Sequence, residues 1–224
     1  MLGCSLLLMA NPAAANDAAH PTVVELFQSQ GCSSCPPAIA NINMLTSRAD
    51  VLPLTFAVTY WDQLGWKDTF ARPEYTQRQW DYAHFGGREN VATPQAIING
   101  RVVTNGGDAR ELIAALREGD RGSTGPSISS SGGILRIGPG AAKTPATIWL
   151  VGYDPRPLNV PIRAGENDGR TIMHRNVVRS LAAVGRWAGQ AVIVPLQRSS
   201  APNLRFAILI QGGAGGPILA AARI

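Results

Sequence analysis

Two cysteines, Cys32 and Cys35, form a Cys-x-x-Cys motif, and a third, Cys4, lies far from them in an apolar leader. Two thiols at this spacing can close a small disulfide ring, and the thiolate of one can attack a disulfide of another molecule. The motif therefore predicts thiol–disulfide exchange, in which Cys32 attacks and Cys35 resolves the mixed disulfide.

The residues around the motif predict a strand before it and a helix after it. Residues 22–27 (TVVELF) are β-branched and apolar, which is typical of a buried strand. Pro36 and Pro37 suit the first turn of a helix that continues to about Arg48. Because the start of a helix favours an anion, we expect a lowered pKa for the Cys32 thiol.

The next elements predict an α/β fold for residues 21–118. The pattern indicates a strand within residues 51–60, a helix over 73–85, strands at about 94–99 and 101–105, and a helix from Asp108 to Gly119. Asn99-Gly100 between the last two strands is a hairpin signal. The order strand, helix, strand, helix, strand, strand, helix predicts a mixed sheet that ends in an antiparallel hairpin and is covered by helices.

Two further residues are candidate partners of the cysteine pair. Thr93-Pro94 precedes the third strand, which we expect to start beside Cys32, and an X-Pro bond is the kind for which the cis form is cheap. A cis Pro94 would shape a backbone slot for an extended peptide. Glu25, in the first strand, is the predicted proton acceptor for Cys35.

The loop after the second strand contributes the candidate substrate-binding residues Tyr60, Trp61 and Trp66, together with Thr93. Loops that follow parallel strands open on one edge of the sheet, where α/β proteins usually bind ligands. Asp62, Lys67 and Asp68 could line the same rim. The equal alternative is that the two tryptophans only pack this loop onto the helix that begins at Pro73.

Two helical residues and three later polar residues are interpreted as structural. Trp80 and His84 lie four residues apart on a predicted helix, and we expect them on its core face. Residues 163–179 are interpreted as a hairpin with Asp168-Gly169 at its turn. Within it Glu166, His174 and Asn176 could form a site, but no partner is identifiable.

The second half of the chain differs in composition. Residues 119–133 are rich in Gly, Ser and Pro and predict a linker, and residues 134–224 predict a small β-rich domain or a β layer on the first domain. Residues 1–119 carry a net charge of −3, and residues 120–224 carry +8. The basic residues are scattered, so we expect no nucleic-acid partner, and no later apolar segment predicts a transmembrane span.

The first residues predict export. Residues 1–20 contain a short apolar run and an Ala-x-Ala site, which is typical of a secretory signal peptide cleaved after Ala15. The expected location is the periplasm or the extracellular space.

Four stretches carry a resemblance to a known family. VVELFQSQGCSSCPP, TYWDQLGWKDTFARPEYTQRQWDYA, ATPQAIING and HRNVVR resemble the secreted family catalogued as domain of unknown function 1223, over about residues 22–220. The resemblance implies a thioredoxin-like fold, with Cys32 and Cys35 as the redox pair and Pro94 as the cis-proline. Glu25 departs from the thioredoxin pattern, because its spacing to the motif is one residue longer. The family has no established reaction that the resemblance could transfer.

The function that we expect is an exported oxidoreductase acting on protein or small-molecule thiols and disulfides. We expect no cofactor, and a redox partner protein is a further candidate partner. One alternative is a copper carrier that uses both cysteines with His84 or Met44. Another is a secreted binding module in which the disulfide is structural, although so short a ring restrains little of the unfolded chain.

Overall fold

The computed structural model describes residues 17–197 and 203–224, so Cys4 and the predicted cleavage after Ala15 lie outside the described residues. The helices are α1 (Cys35–Leu45), α2 (Pro73–Phe85) and α3 (Ala109–Glu118). The strands of the first half are β1 (Thr22–Gln28), β2 (Val51–Ala57), β3 (Gln95–Ile98) and β4 (Val102–Thr104). Those of the second half are β5 (Ile128–Ser131), β6 (Ile134–Ile137), β7 (Ala146–Asp154), β8 (Leu158–Pro161), β9 (Thr171–His174), β10 (Val177–Trp187), β11 (Val192–Pro195), β12 (Arg205–Gly212) and β13 (Ile218–Arg223).

The predicted α/β class and the order of elements up to residue 118 are confirmed. β1 pairs in parallel with β2 and antiparallel with β3, and β3 pairs antiparallel with β4. The parallel pair needs α1 as its crossover, because parallel neighbours cannot be joined by a tight turn.

Local turn and cap signals were accurate. Asn99 and Gly100 both have positive φ, at 47° and 66°, and the Arg101 N–H donates to the Ile98 carbonyl. This turn directs β4 back along β3. The Asp108 carboxylate accepts hydrogen bonds from the first free N–H groups of α3, as an N-cap residue does.

The second half extends the first sheet. The large sheet has eight strands in the order β13-β12-β7-β10-β2-β1-β3-β4. The junction is β10, which runs parallel to β2 with Val177 opposite Thr55 and antiparallel to β7. Residues 134–224 therefore do not form a domain with a separate main sheet, because their apolar strands pair with the free edge of β2.

The segment predicted to be a linker, residues 119–133, is ordered. It contains β5, which pairs with β6 in a second sheet of order β11-β6-β5. The Arg121 side chain is buried, and its guanidinium donates to the Pro21 and Thr124 carbonyls. The Gly and Ser residues indicated a linker, but they serve a hairpin. Gly132 and Gly133, with φ of 57° and 75°, make the turn between β5 and β6.

A third sheet consists of β8 and β9 alone and packs against α1. Asp168 and Gly169 lie in its connecting loop, residues 162–170, so the hairpin exists but spans earlier residues than predicted. From Val177 onward the chain contributes β10, β12 and β13 to the large sheet and β11 to the second sheet. Ile162 and Ile172 of the hairpin share one core cluster with Cys32 and Cys35.

The two faces of the large sheet carry different clusters. One face packs against α2 through a single cluster that includes Phe27, Leu54 and Leu209. The opposite face carries α1 and α3 near β1, and the second sheet near β7 and β12. The prediction for the core face of α2 was wrong. His84 is exposed and Trp80 is only half-buried, since the buried residues of this helix are Tyr75, Arg78, Gln79, Tyr82 and Ala83.

Among the described residues, no helix is long and apolar enough to cross a membrane.

Candidate functional site around Cys32 and Cys35

Cys32 and Cys35 are joined by a disulfide, with their Cα atoms 5.4 Å apart. Both residues are 0% exposed and belong to the core cluster beneath α1. The two residues between them, Ser33 and Ser34, are exposed. The pair thus lies directly under the surface, at the point where the chain leaves β1 and enters α1.

Cys35 is the first residue of α1, which places the disulfide at the positive end of the helix dipole. The usual N–H donors of a helix start are reduced here, because Pro36 and Pro37 have none and the Cys35 N–H donates to the Cys32 carbonyl at 3.1 Å. No acidic side chain of α1 occupies its first turn. The helix dipole, more than direct N–H donation, therefore makes this end of α1 favourable for an anion.

The predicted cis bond between Thr93 and Pro94 is present. The Thr93 carbonyl oxygen lies 3.7 Å from the Cys32 Sγ and accepts a hydrogen bond of 3.4 Å from the Ser34 hydroxyl. Thr93 is half-buried and Pro94 is buried. The segment before β3 therefore adjoins the sulfur of Cys32, as predicted.

The loop after β2 forms hydrogen bonds with Gln30, which lies two residues before Cys32. The Gln30 N–H donates to the Asp68 carboxylate at 2.7 Å, and the Gln30 side-chain oxygen accepts from the Trp66 indole at 3.0 Å. Asp68 is only 2% exposed, and burial raises its pKa to about 6. These bonds fix the loop beside the motif. Trp61 and Trp66 are half-buried against the cysteine cluster, and Trp61 also packs against the cluster that contains Tyr75 of α2.

Tyr60 lies at the start of this loop, near Thr93. Its hydroxyl is 3.2 Å from the Gln79 side-chain oxygen, and Gln79 in turn donates to the Ala92 carbonyl at 2.9 Å. Burial raises the pKa of Tyr60 to about 12, although the polar groups of Gln79 and Thr93 partly offset it. Tyr60 is therefore a neutral hydrogen-bonding group at neutral pH.

The loop between β8 and β9 completes the site from the second half of the chain. The buried Asn167 amide donates to the Gln30 carbonyl at 2.9 Å and to the Cys32 carbonyl at 2.8 Å. The exposed Glu166 carboxylate accepts from the Ser33 hydroxyl at 2.7 Å and from the Ser33 N–H at 3.1 Å. The hydrogen bond from the Ser33 side chain is the main reason that the pKa of Glu166 is lowered.

Sequence reasoning did not identify Asn167, because it lies among residues typical of a turn.

The loop after β2 meets the loop between β8 and β9 where Gly165, with φ of +75°, lies against Trp66. A side chain at Gly165 would crowd Trp66 and strain the backbone.

The predicted role of Glu25 requires correction. Glu25 lies between Val23 and Phe27 on the α2 face of β1, whereas the cysteines lie on the α1 face. Its carboxylate is 0% exposed and pairs with the buried Arg78 guanidinium at 2.6 Å. The sheet thus separates Glu25 from Cys35, and we assign it a structural role in place of proton transfer.

The three polar residues of the second half are not brought together. Glu166 contacts Ser33, and the Asn176 amide donates to the Pro53 carbonyl. His174 is 0% exposed, has no hydrogen-bond partner among the described residues, and packs edge-on against the Phe70 ring at 5.6 Å. Burial lowers its pKa to about 4.

Replacing His174 with phenylalanine is expected to make the protein less sensitive to acid. The folded state keeps this imidazole neutral, whereas the unfolded chain binds a proton below pH 6.5, so stability falls as the pH drops from 6.5 to about 4. The wild type should lose about 2–3 kcal/mol more stability than the variant over this range. Urea unfolding at neutral pH and near pH 4.5 measures the difference; equal losses would contradict it. The exposed His84→Phe is the matched control.

The alternative metal ligands lie apart from the pair. Met44 is 62% exposed near the far end of α1, and His84 is on α2, across the sheet. Nowhere in residues 17–197 or 203–224 do three His, Cys, Asp or Glu residues form a group that could hold a metal.

Comparison with known proteins places the chain in a family. Residues 23–211 match the model of a family described as protein of unknown function (DUF1223). An X-ray crystal structure of a protein from Agrobacterium tumefaciens is 34% identical and covers 92% of this chain and 94% of that chain, with a TM-score of 0.72. HBP35 of Porphyromonas gingivalis, at 11% identity and a TM-score of 0.57, covers 94% of this chain and 76% of that chain and shares the fold alone. No curated protein matches.

Proposed function

The chain belongs to the DUF1223 family, and we propose that it is an exported thiol–disulfide oxidoreductase acting on protein or small-molecule thiols and disulfides. The observation that carries the proposal is the Cys32–Cys35 disulfide at the start of α1, with the Thr93 carbonyl 3.7 Å from the Cys32 sulfur. A disulfide at a helix start beside a cis-proline is the arrangement expected of a thioredoxin-like catalyst, and the order of β1 to α3 agrees with such a fold.

The proposed reaction is two successive exchanges. A substrate thiolate attacks the Cys32 Sγ, the bond between the two sulfurs breaks, and Cys35 leaves as a thiolate. A second substrate thiolate then attacks the substrate sulfur of the mixed disulfide and releases Cys32 as a thiolate. Two substrate thiols are oxidised to one disulfide, while the protein disulfide gains two electrons and becomes a dithiol. The reverse sequence reduces a substrate disulfide.

The surroundings of the pair support the assignment of Cys32 as the attacked sulfur. The Cys32 Sγ lies 3.7 Å from the Thr93 carbonyl oxygen and 3.3 Å from the hydroxyl oxygen of the exposed Ser34, whereas Cys35 is the first residue of α1. Since both cysteines are 0% exposed, the substrate reaches the Cys32 sulfur only after a local movement of the residues packed around it.

Export is supported by the predicted leader, in which an Ala-x-Ala site follows a short apolar run, as in a secretory signal peptide. We therefore propose that the protein works outside the cytoplasm.

The reduction potential of the pair tests this function against a structural disulfide, which the complete burial of both cysteines favours. The expected potential lies between about −120 and −270 mV, the range of catalytic pairs. Equilibration with glutathione or dithiothreitol buffers, followed by quantification of free thiols, measures it. A potential below about −300 mV would overturn the proposal in favour of a binding module with a structural bond.

A further inference from the structure

A groove of about 960 Å³ lies between α1 and β9. It begins at Pro36, next to Cys35, and continues along the helix to Ser47. Its apolar walls include Ile39 and Ile172, and the residues Met44 and Met173 are 62% and 41% exposed. Exposed methionines are adaptable contact surfaces, since their side chains are flexible and polarisable.

The strand edge of β9 faces this groove. The Ile162 N–H donates to the Arg170 carbonyl just before β9 begins. Antiparallel pairs alternate between bonded and non-bonded, so the next bonded residues of β9 are Ile172, opposite Val160, and His174, opposite Leu158. The intervening residues, Thr171 and Met173, direct their backbone groups away from β8. The Asn43 side-chain amide donates to the Met173 carbonyl at 2.8 Å, so this oxygen already has a partner. Within residues 17–197 and 203–224 no other hydrogen bond reaches the Thr171 backbone groups or the Met173 N–H, so they are available for main-chain pairing with a ligand.

The charge of the groove has one sign. Arg170 and Arg175 line it, and none of its lining residues is acidic. Neither guanidinium forms a salt bridge within the described part of the chain; Arg170 donates only to the neutral Asn167 oxygen. Two uncompensated cations beside an apolar wall favour a ligand that is both apolar and anionic.

We propose that this groove binds an extended, acidic segment of the substrate protein, next to the cysteine that reacts with Cys32. The available strand edge favours a polypeptide over a lipid, because only a polypeptide can satisfy its N–H and C=O groups by strand addition. Alternate apolar side chains contact Met44 and Met173, and the intervening carboxylates contact Arg170 and Arg175. From Pro36 to Met44 the helix rises about 12 Å, which about four extended residues match. This proposal names the substrate class and rests on the proposed function.

The test uses the oxidised wild-type protein and a fluorescein-labelled peptide of alternating valine and glutamate, about eight residues long and without cysteine. Fluorescence anisotropy should show saturable binding that weakens with added salt. Arg170→Glu and Arg175→Glu should each weaken binding about tenfold or more, because they place a carboxylate where the peptide needs a cation. Arg163→Glu is the matched control, since Arg163 is exposed in the same loop and does not line the groove.

The outcomes separate this proposal from the redox function. Binding of the valine–glutamate peptide that the Arg170 and Arg175 variants do not weaken, or equal binding of a valine–lysine peptide, would overturn the groove assignment. Arginine-dependent binding of laurate with no peptide binding would overturn the polypeptide occupant. The test peptide contains no thiol, so its binding does not depend on the redox function. A reduction potential in the catalytic range without peptide binding contradicts the groove assignment alone. Peptide binding with a potential below about −300 mV contradicts catalysis alone. Thermal unfolding confirms that each variant is folded.

Discussion

Cys32→Ser is expected to lose disulfide-exchange activity by about a hundredfold or more, because a serine hydroxyl neither attacks a disulfide nor forms a mixed disulfide. Reduction of insulin disulfides with dithiothreitol as the electron source measures the rate. We do not expect the remaining Cys35 to substitute for Cys32, since it is the Cys32 sulfur that adjoins the Thr93 carbonyl and the exposed Ser34. Unchanged activity in Cys32→Ser would overturn the proposed mechanism.

Cys35→Ser provides the matched control for that result. It keeps the attacking Cys32 and removes the resolving thiol, so it should accumulate a mixed disulfide that intact-protein mass spectrometry detects. Both variants lose a disulfide that closes only a four-residue ring, so they should share any small change in stability. A mixed disulfide in Cys35→Ser but not in Cys32→Ser identifies Cys32 as the nucleophile. The opposite result would reverse the two roles.

Arg78→Met is expected to destabilise the protein by about 3–5 kcal/mol, because it leaves the Glu25 carboxylate buried without its counter-ion. Arg78 is 4% exposed and donates to both Glu25 oxygens, at 2.6 and 3.1 Å, and to the Gln211 side chain at 3.0 Å. Tyr82 also donates to the Glu25 carboxylate. The guanidinium lies over the Phe56, Tyr82 and Trp149 rings. One side chain thus connects β1, β12 and α2. Urea unfolding measures the loss.

The double variant Glu25→Leu/Arg78→Met separates an unpaired charge from lost packing. It removes both charges, so we expect it to recover most of the stability lost in Arg78→Met. Arg72→Met, at the N-cap position of the same helix, is the control. Its contact with Glu74 is a surface salt bridge of 3.8 Å, so it should change stability by less than about 1 kcal/mol. A double variant as unstable as Arg78→Met would show that the ring contacts and the Gln211 bond matter more than the charge.

Local sequence signals predicted the elements that carry the cysteine pair. A β-branched run, two prolines after the motif, the Asn99-Gly100 turn and the Asp108 cap each act over a few residues, so their physics is readable without a partner. The predicted cis bond at Pro94 also depends on one residue type. For this reason the order β1 to α3 and the contact of Thr93 with Cys32 were predictable.

Contacts between distant segments were not predictable in the same way. The sequence suggests a proton acceptor at Glu25 because its true partner, Arg78, is 53 residues away. Arg78 lies on the buried face of α2, and the spacing of Trp80 and His84 indicated a different face. A fully buried charge needs a partner, but periodicity does not say which arginine supplies it.

By itself, the sequence determined the Cys-x-x-Cys motif, its position between β1 and α1, and the elements of the first half, since these depend on side-chain type and short-range backbone preference. Only the tertiary structure decided that β10 joins β2 in one eight-stranded sheet and that Asn167 and Glu166 contact the cysteine loop from 135 and 133 residues away. Strand pairing and loop contact at such separations depend on the free edge of β2 and on burial of the α1 face. Those are properties of the assembled fold, and no local pattern encodes them.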